Sequence, residues 1–376
     1  MSEENTQSIE QSSSYAQQLS FLESGEKDTV AIICHDQPDP DCLACAMAFQ
    51  EIAQKYGLMS RIYYGGEISH TQNRVMINVL NVPAQKLEDG EEGEGEAIRT
   101  ALENSYIVLV DTAEFGAGPC SSITRFLADD RKPDLVIDHH ELNPKIECSY
   151  IREPMGACST ILCKMLQELE IEIGKALATA LYLGISTDTA NLKAESVHDD
   201  DKAVFESLKG RLDPEAYEKI LNYPRPDALI DMRRKAYRTL NVENTLAICN
   251  AGVVSTNQRS LLAELCDELL AVESVQTAVV MSIVDEGIKG KKALCASFRS
   301  RNLAVNMQEF ISKTFGKKYG GGRRGAGAAK IPLDGVVAGI IDNIRQTAGD
   351  NGKLFEFTQP IFDVYVTKVR EENSNI

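Results

Sequence analysis

Three short apolar runs share one grammar: VAIIC (30–34), YIVLV (106–110) and LVI (135–137) are rich in branched side chains, and each is followed at once by His or Asp. Runs of this kind predict buried strands. Apolar positions recur at helical spacing over roughly 41–56, 158–170 and 175–187. Strands alternating with helices predict a mostly parallel sheet covered on both faces. Ligands of such sheets sit beyond the carboxyl ends of the strands, which is where these acids and imidazoles fall. The segment 87–96, LEDGEEGEGE, has no periodicity and too much like charge to pack, so it predicts a solvated loop.

Beyond residue 198 the pattern changes. HDDDKAVFESLKGRLDPEAYEKILNYPRPD is charged and punctuated by Pro, and DALIDMRRKAYRTL after it is helical, which together predict a connector. A second alternating block follows: TLAICNAG, a helix near 258–270, TAVVMSIVD, KKALCASFRS, a helix near 304–315 and a glycine-rich loop over 316–330. The expected organisation is a disordered lead over 1–24, a first α/β domain over 25–198, a helical linker over 199–243 and a smaller α/β domain over 244–376.

Composition narrows the classes. The 376-residue chain is 43% hydrophobic and 25% charged, and no apolar run approaches the roughly 18 residues of a membrane span. The start, MSEENTQSIEQSSS, lacks the basic and apolar stretches of a signal peptide, so a cytoplasmic location is expected. Ten scattered cysteines in such a chain read as buried reduced thiols. Cys42 and Cys45 make a single C-x-x-C spacing, and without a second pair it does not make a zinc ribbon. The net charge of -17 argues against sequence-blind duplex DNA binding, which depends on Lys and Arg neutralising phosphates. A small anionic substrate in a locally basic site stays open.

The candidate chemistry sits at the strand ends. His35, Asp39 and Asp41 lie in HDQPDPD, a turn stiffened by Pro38 and Pro40. Helix capping accounts for one Asp there, but not for His35 or the second Asp. Asp111 and Asp188 taken singly are ordinary turn or cap residues. Asp138, His139 and His140 are harder to explain as packing, since adjacent imidazoles in a strand-end turn gain little from it. Together these residues suffice for two divalent ions with mixed N and O ligands, a set that suits Mn²⁺ or Mg²⁺ better than a thiolate-bound zinc.

HDQPDPD (35–41), VLVDT (108–112), VIDHH (136–140) and GISTDT (184–189) resemble, in order, the four motifs of the DHH phosphoesterases. The resemblance runs from about 28 to 345. It implies His35, Asp39 and Asp111 on one ion and Asp41, Asp111, His139 and Asp188 on the other, with Asp111 bridging. It further implies that Asp138 orients the His139 imidazole and that His140 faces the substrate phosphate. In the second block, CASFRSRN and KKYGGGRRG are similar to the DHHA1 domain of oligoribonuclease-like members, whose RSR strand and GGGH loop bind the nucleotide. The matching residues are Arg299, Arg301, Gly320, Gly321, Gly322 and Arg323, the last standing where the family has His. Arg keeps a phosphate-binding fork but cannot act as an acceptor. Ala44 and Cys45 replace a usual Gly-Ser, and Ala190, Leu192 and Lys193 replace a usual Gly, Phe and Arg; none of these is a metal ligand.

The resemblance implies a Mn²⁺-dependent phosphodiesterase acting on short RNA or linear dinucleotides, with 3'-phosphoadenosine 5'-phosphate as a further substrate and a homodimer as one assembly. A polyphosphate or pyrophosphate hydrolase with the same metal centre is the alternative, followed by a nucleotide-binding protein without turnover.

Overall fold

The structure is a computed structural model describing residues 14–66, 68, 70–87, 94–112, 126–127, 131–140, 148–287, 291–302, 305–323, 325–348 and 352–374. The chain divides into two compact units, Met1–Tyr223 and Pro224–Ile376.

The first unit holds six strands: β1 (Thr29–Ile33), β2 (Met59–Tyr64), β3 (Ala84–Lys86), β4 (Ser105–Val110), β5 (Leu135–Asp138) and β6 (Ser149–Arg152). They form one sheet in the order β3-β2-β1-β4-β5-β6, and every pairing is parallel. All six residues of β4 are buried, as two covered faces require. Tyr106, Val108 and Val110 join the core under α1 (Pro40–Lys55), α4 (Cys158–Glu168) and α5 (Lys175–Asp188), while Ile107 and Leu109 join a smaller cluster on the other face. Two further helices, α2 (Thr71–Leu80) and α3 (Glu94–Glu103), complete the alternation with the strands. The parallel, doubly covered sheet is the α/β class expected from the apolar runs.

Three details differ from the sequence reading. Residues from Ser14 onward are not a free lead: helical turns at Tyr15–Gln18 and Ser20–Glu23 place Leu19 and Leu22 in the core, and Ser24 Oγ lies 2.6 Å from Tyr106 OH. Residues 1–13 lie outside the described residues. The acidic segment 87–96 already enters α3 at Glu94, and 88–93 lie outside the described residues.

The third difference concerns the linker. Helices α6 (Asp199–Lys209) and α7 (Pro214–Leu221) belong to the first unit, while α8 (Ala228–Thr239) belongs to the second. Their charge density conceals narrow apolar stripes, Phe205 with Leu208 and Ala216 with Ile220, all buried. Phe205 stacks on Tyr182 of α5 with ring centroids 4.0 Å apart, and Tyr217 meets the same ring edge-on at 5.6 Å. Amphipathic helices carrying many acids look like solvated connectors until their partner surface is known.

The second unit is a sheet in the order β11-β12-β10-β9-β8-β7, with strands at Asn241–Glu243, Leu246–Ser255, Thr277–Asp285, Lys292–Ser300, Gly320–Arg323 and Ala326–Pro332 for β7 to β12. Only β8 and β9 pair in parallel. One face packs on α8 and α9 (Leu261–Leu270), the other on α10 (Met307–Phe315), α11 (Gly335–Ala348) and α12 (Gly352–Asn373). The glycine-rich loop expected over 316–330 is instead largely the β11-β12 hairpin. Its glycines have a packing cause, since a Cβ on Gly320 would lie 2.5 Å from the Ala328 carbonyl oxygen and one on Gly327 2.3 Å from Ile311 Cδ1.

Phe205→Ala should lower the unfolding free energy by about 3 kcal/mol, the usual cost of removing a well-packed Phe. Urea unfolding measures it. A change within about 0.5 kcal/mol, the range of ordinary surface substitutions, would mean that α6 is a connector after all.

Candidate metal centre

Strand order reverses direction at the β1-β4 pair, because β2 and β3 add on one side of it and β5 and β6 on the other. The carboxyl ends of two such strands open a crevice where the connections diverge. His35 follows β1, Asp111 follows β4 and Asp138-His139-His140 closes β5, so topology alone brings three of the four motifs to one place.

Local structure aims the side chains. Asp39 is the N-cap of α1, accepting from Cys42 N at 3.0 Å, with Pro40 next. Asp41 follows in the first turn and is wholly buried; its Oδ2 accepts from Cys158 N at 2.7 Å and its Oδ1 from Ser159 N at 2.9 Å. These are the first amides of α4, so the acid answers donors that no intrahelical carbonyl can reach. Close approach of α5 depends on Gly184, where a Cβ would fall 2.5 Å from Ser159 Oγ and 2.8 Å from Asp41 Oδ1. Asp188 stands four residues later, one turn along the same face.

Asp111 takes a left-handed backbone (φ 58°), and its N–H donates to Ile137 O at 2.9 Å. Such a conformation costs a non-glycine residue on the order of 1 kcal/mol, and here it turns the carboxylate into the crevice. The two imidazoles meet opposite oxygens of that group. His35 Nδ1 donates to Asp36 O at 2.9 Å, leaving Nε2 3.8 Å from Asp111 Oδ2 and 3.9 Å from Asp39 Oδ1. His139 Nδ1 donates to Met155 O at 3.1 Å, leaving Nε2 3.4 Å from Asp111 Oδ1 and 3.3 Å from Asp188 Oδ2.

Ligand atoms of Asp41, Asp111, His139 and Asp188 lie within 4.8 Å of one another, as do those of His35, Cys42 and Asp111. Asp111 is common to both groups. Asp111 Oδ1 and His139 Nε2 are buried and have no hydrogen-bond partner. A buried carboxylate oxygen and imidazole nitrogen left without partners are costly, and a cation between them removes the cost. Electrostatics agrees: burial, then the Asp188 charge, pushes the Asp41 carboxyl up to about 7. Burial and Asp41 likewise raise Asp111 well above the carboxylate range. For His139 burial opposes the charged form, but the adjacent Asp111 and Asp188 carboxylates outweigh it and raise the pKa. Acids so crowded give up their protons only to a compensating positive charge. The residues therefore fit two divalent ions sharing Asp111.

One expectation is corrected. Asp138 does not orient the His139 ring; Asp138 Oδ1 accepts from His140 Nδ1 at 2.7 Å and from the backbone amides of His139 and His140 at 2.8 and 3.2 Å. The ring of His139 is held by Met155 O instead, although the two imidazoles lie beside each other with ring centroids 4.3 Å apart. His140 is half-exposed, so its Nε2 is the edge offered outward.

Arg299, Arg301 and the Gly320–Arg323 strand lie in the second unit. Register lines up Arg323, Ala326 and Arg299 across three neighbouring strands. Arg299 Nε lies 3.2 Å from Asp267 Oδ1, and Gly322 N donates to Gln308 Oε1 at 2.8 Å.

Sequence reasoning missed Gly184 and Asp201. The fully buried Asp201 of α6 accepts from Gly156 N and His198 N, both at 2.7 Å, and from Thr160 Oγ1 at 2.5 Å. It thereby anchors the loop whose Met155 carbonyl sets the His139 tautomer and whose Cys158 and Ser159 amides hold Asp41. The only sequence signal was an acid in an acidic run, HDDD, which marks a helix start rather than a site. Asp201→Asn should lower stability by about 2 kcal/mol, since an amide nitrogen cannot accept these bonds, and weaken Mn²⁺ binding about 10-fold or more, as loss of supporting partners does. Urea unfolding and calorimetric Mn²⁺ titration measure the two effects; unchanged Mn²⁺ affinity would mean the anchor does not reach the ligands.

Residues 29–185 match the family described as DHH family, N-terminal domain. Over 331 residues the chain is 32% identical to an uncharacterized protein of Methanocaldococcus jannaschii, covering 86% of this chain and 62% of that protein. Over 189 residues it is 28% identical to a probable manganese-dependent inorganic pyrophosphatase of Streptococcus pyogenes serotype M5, covering 48% of this chain and 54% of that one. The chain thus spans between about half and three fifths of the length of these curated relatives. A solved structure of an exopolyphosphatase-related protein from Bacteroides fragilis is similar in fold, with a TM-score of 0.62 at 12% identity over 95% of this chain and 97% of the other. Residues 29–185, the stretch that matches the DHH family N-terminal domain, hold five of the six candidate metal-binding side chains, and Asp188 follows three residues later.

Proposed function

We propose that this protein is a two-cation phosphoesterase that cleaves phosphodiesters of short oligoribonucleotides or linear dinucleotides to mononucleotides, with 3'-phosphoadenosine 5'-phosphate as a further substrate. The observation that carries the reading is Asp111, one carboxylate with an imidazole Nε2 facing each of its oxygens. The proposed holders are His35, Asp39 and Asp111 for one ion and Asp41, Asp111, His139 and Asp188 for the other. Manganese is the metal of choice, because the donors are mainly carboxylate and imidazole and the pyrophosphatase relative is described as manganese-dependent. When bound, the pair supplies an activated water and positive charge against the electron density that builds on phosphorus.

The chain's own residues do the rest. Asp138 holds the His140 imidazole by its Nδ1 proton, so when the ring carries a second proton on Nε2 it can pass that proton to the departing oxygen and return to the Nδ1–H tautomer. Asp138 in its buried place keeps that ring in one tautomer and orientation. Arg299, Arg301 and Arg323 are proposed to hold the anionic end of the substrate by paired N–H groups, with Gly320, Gly321 and Gly322 keeping the backbone near them low. No helix among the described residues is long and apolar enough to cross a membrane, and a cytoplasmic setting is part of the proposal.

A polyphosphate or pyrophosphate hydrolase is the second reading. It is favoured by the similarity to the pyrophosphatase and disfavoured by the RSR segment, which that chemistry does not require.

Hydrolysis of pApA, pGpG, a five-residue RNA, cyclic dinucleotides, 3'-phosphoadenosine 5'-phosphate and tripolyphosphate at fixed Mn²⁺ decides between them. Linear dinucleotides should disappear fastest, and preferential loss of tripolyphosphate would move the assignment to the second reading. Asp111→Ala should lose both bound metal and hydrolysis; full activity in that variant refutes the shared-carboxylate centre. Arg301→Ala should raise KM for the preferred dinucleotide about 10-fold, the equivalent of one charge-assisted contact, while leaving Mn²⁺ stoichiometry intact. An unchanged KM would remove the arginines from the substrate site.

A further inference from the structure

Cys42 stands next to Asp41 in the first turn of α1, wholly buried. Its Sγ lies within 4.8 Å of ligand atoms of both His35 and Asp111, which are within that distance of each other. The thiol faces the Val110 carbonyl at 3.5 Å, the residue just before Asp111, and the Cys42 amide is tied to Asp39 Oδ1 at 3.0 Å. Backbone contacts on both sides thus fix the sulfur against the His35 side of the Asp111 carboxylate. That carboxylate is 3% exposed, and the oxygen it presents on this side is Oδ2, 3.8 Å from His35 Nε2. Asp39 is 39% exposed, at the rim. Among the described residues it is Cys42, not Asp39, that completes a ligand-spaced group with His35 and Asp111.

We propose that Cys42 is a sulfur ligand of the cation held at His35 and Asp111. This rests on the two-cation reading above and makes the two positions chemically different: one offers N, O and S donors, the other N and O only. Burial disfavours a free thiolate at Cys42, so the bound cation itself supplies the charge that makes the sulfur a thiolate, and the thiol proton passes to solvent when the ion binds. Thiolate donors select softer ions than carboxylates do. The His35 position should therefore prefer Zn²⁺ or Co²⁺ over Mn²⁺, while the Asp41-Asp188 position shows no such bias. A serine or alanine at position 42 should erase the difference.

The test is spectroscopic and does not depend on turnover. The full chain is stripped of metal, titrated with Co²⁺, and followed for the near-ultraviolet sulfur-to-cobalt charge-transfer band, with bound cobalt counted by elemental analysis. The band should appear with about one of two bound Co²⁺ ions. It should vanish in Cys42→Ser and Cys42→Ala and survive in Cys34→Ala, which removes the thiol beside it. In Cys42→Ser, Zn²⁺ affinity of that position should fall about 10-fold or more, at least the effect of losing an outer supporting partner, with Mn²⁺ affinity little changed. Two bound cobalt ions with no band in the unmodified chain overturn the sulfur ligand and leave the two-cation reading standing. Failure to bind cobalt at all overturns both. A band lost in Cys34→Ala but kept in Cys42→Ser assigns the sulfur elsewhere and also overturns the proposal.

Discussion

The structure turns on the crowding of buried carboxylates around Asp111. Asp41, Asp111 and Asp188 share a volume that also holds the His139 imidazole, and burial of like charges at such distances is unfavourable without a compensating cation. Every neighbouring feature serves to keep them there. Asp111 accepts a left-handed backbone and a bond to β5; Asp41 is pinned by two amides of α4; Gly184 lets α5 come close enough for Asp188 to join. Fold stability is spent on holding a charge pattern that only metal completes, a common trade at functional sites.

The loop 155–159 connects these constraints. Its Met155 carbonyl sets one imidazole, its Cys158 and Ser159 amides set one acid, and its Gly156 amide is held in turn by Asp201. A helix that begins at residue 199 therefore reaches the centre without touching it, from beyond the segment that matches the family. Room for that contact exists only because Gly156 has no side chain: a Cβ there would lie 2.8 Å from Asp201 Oδ2.

In the second unit, glycines that suggest a ligand loop turn out to be required by packing. Gly320, Gly322 and Gly327 have backbone or Ile311 where a Cβ would stand, so their presence argues for the hairpin before it argues for a nucleotide. The alignment of Arg323 and Arg299 across Ala326 is a separate matter, set by strand register.

Much of the first unit was legible in order along the chain. Branched runs ending in His or Asp identified β1, β4 and β5, because a strand buried on both faces has to be apolar throughout, and the polar residue that ends it has to surface. The candidate ligands were named through the resemblance of four ordered motifs to a known family, and the structure brings five of them into two ligand-spaced groups that share Asp111. The half-exposed β2 and the acidic α3, α6 and α7 were missed or misread, since a narrow apolar stripe is indistinguishable from a solvated helix until its partner is in place. What the sequence determined by itself was the class of sheet, written in local pattern, and a set of candidate ligating side chains at the ends of its elements. Only the tertiary structure decided which imidazole Asp138 holds, that Asp201 and Gly184 support the site, and that Cys42 lies at one of its ends. Those facts depend on which distant backbone atoms come within a few ångströms of each other, and no local pattern encodes that.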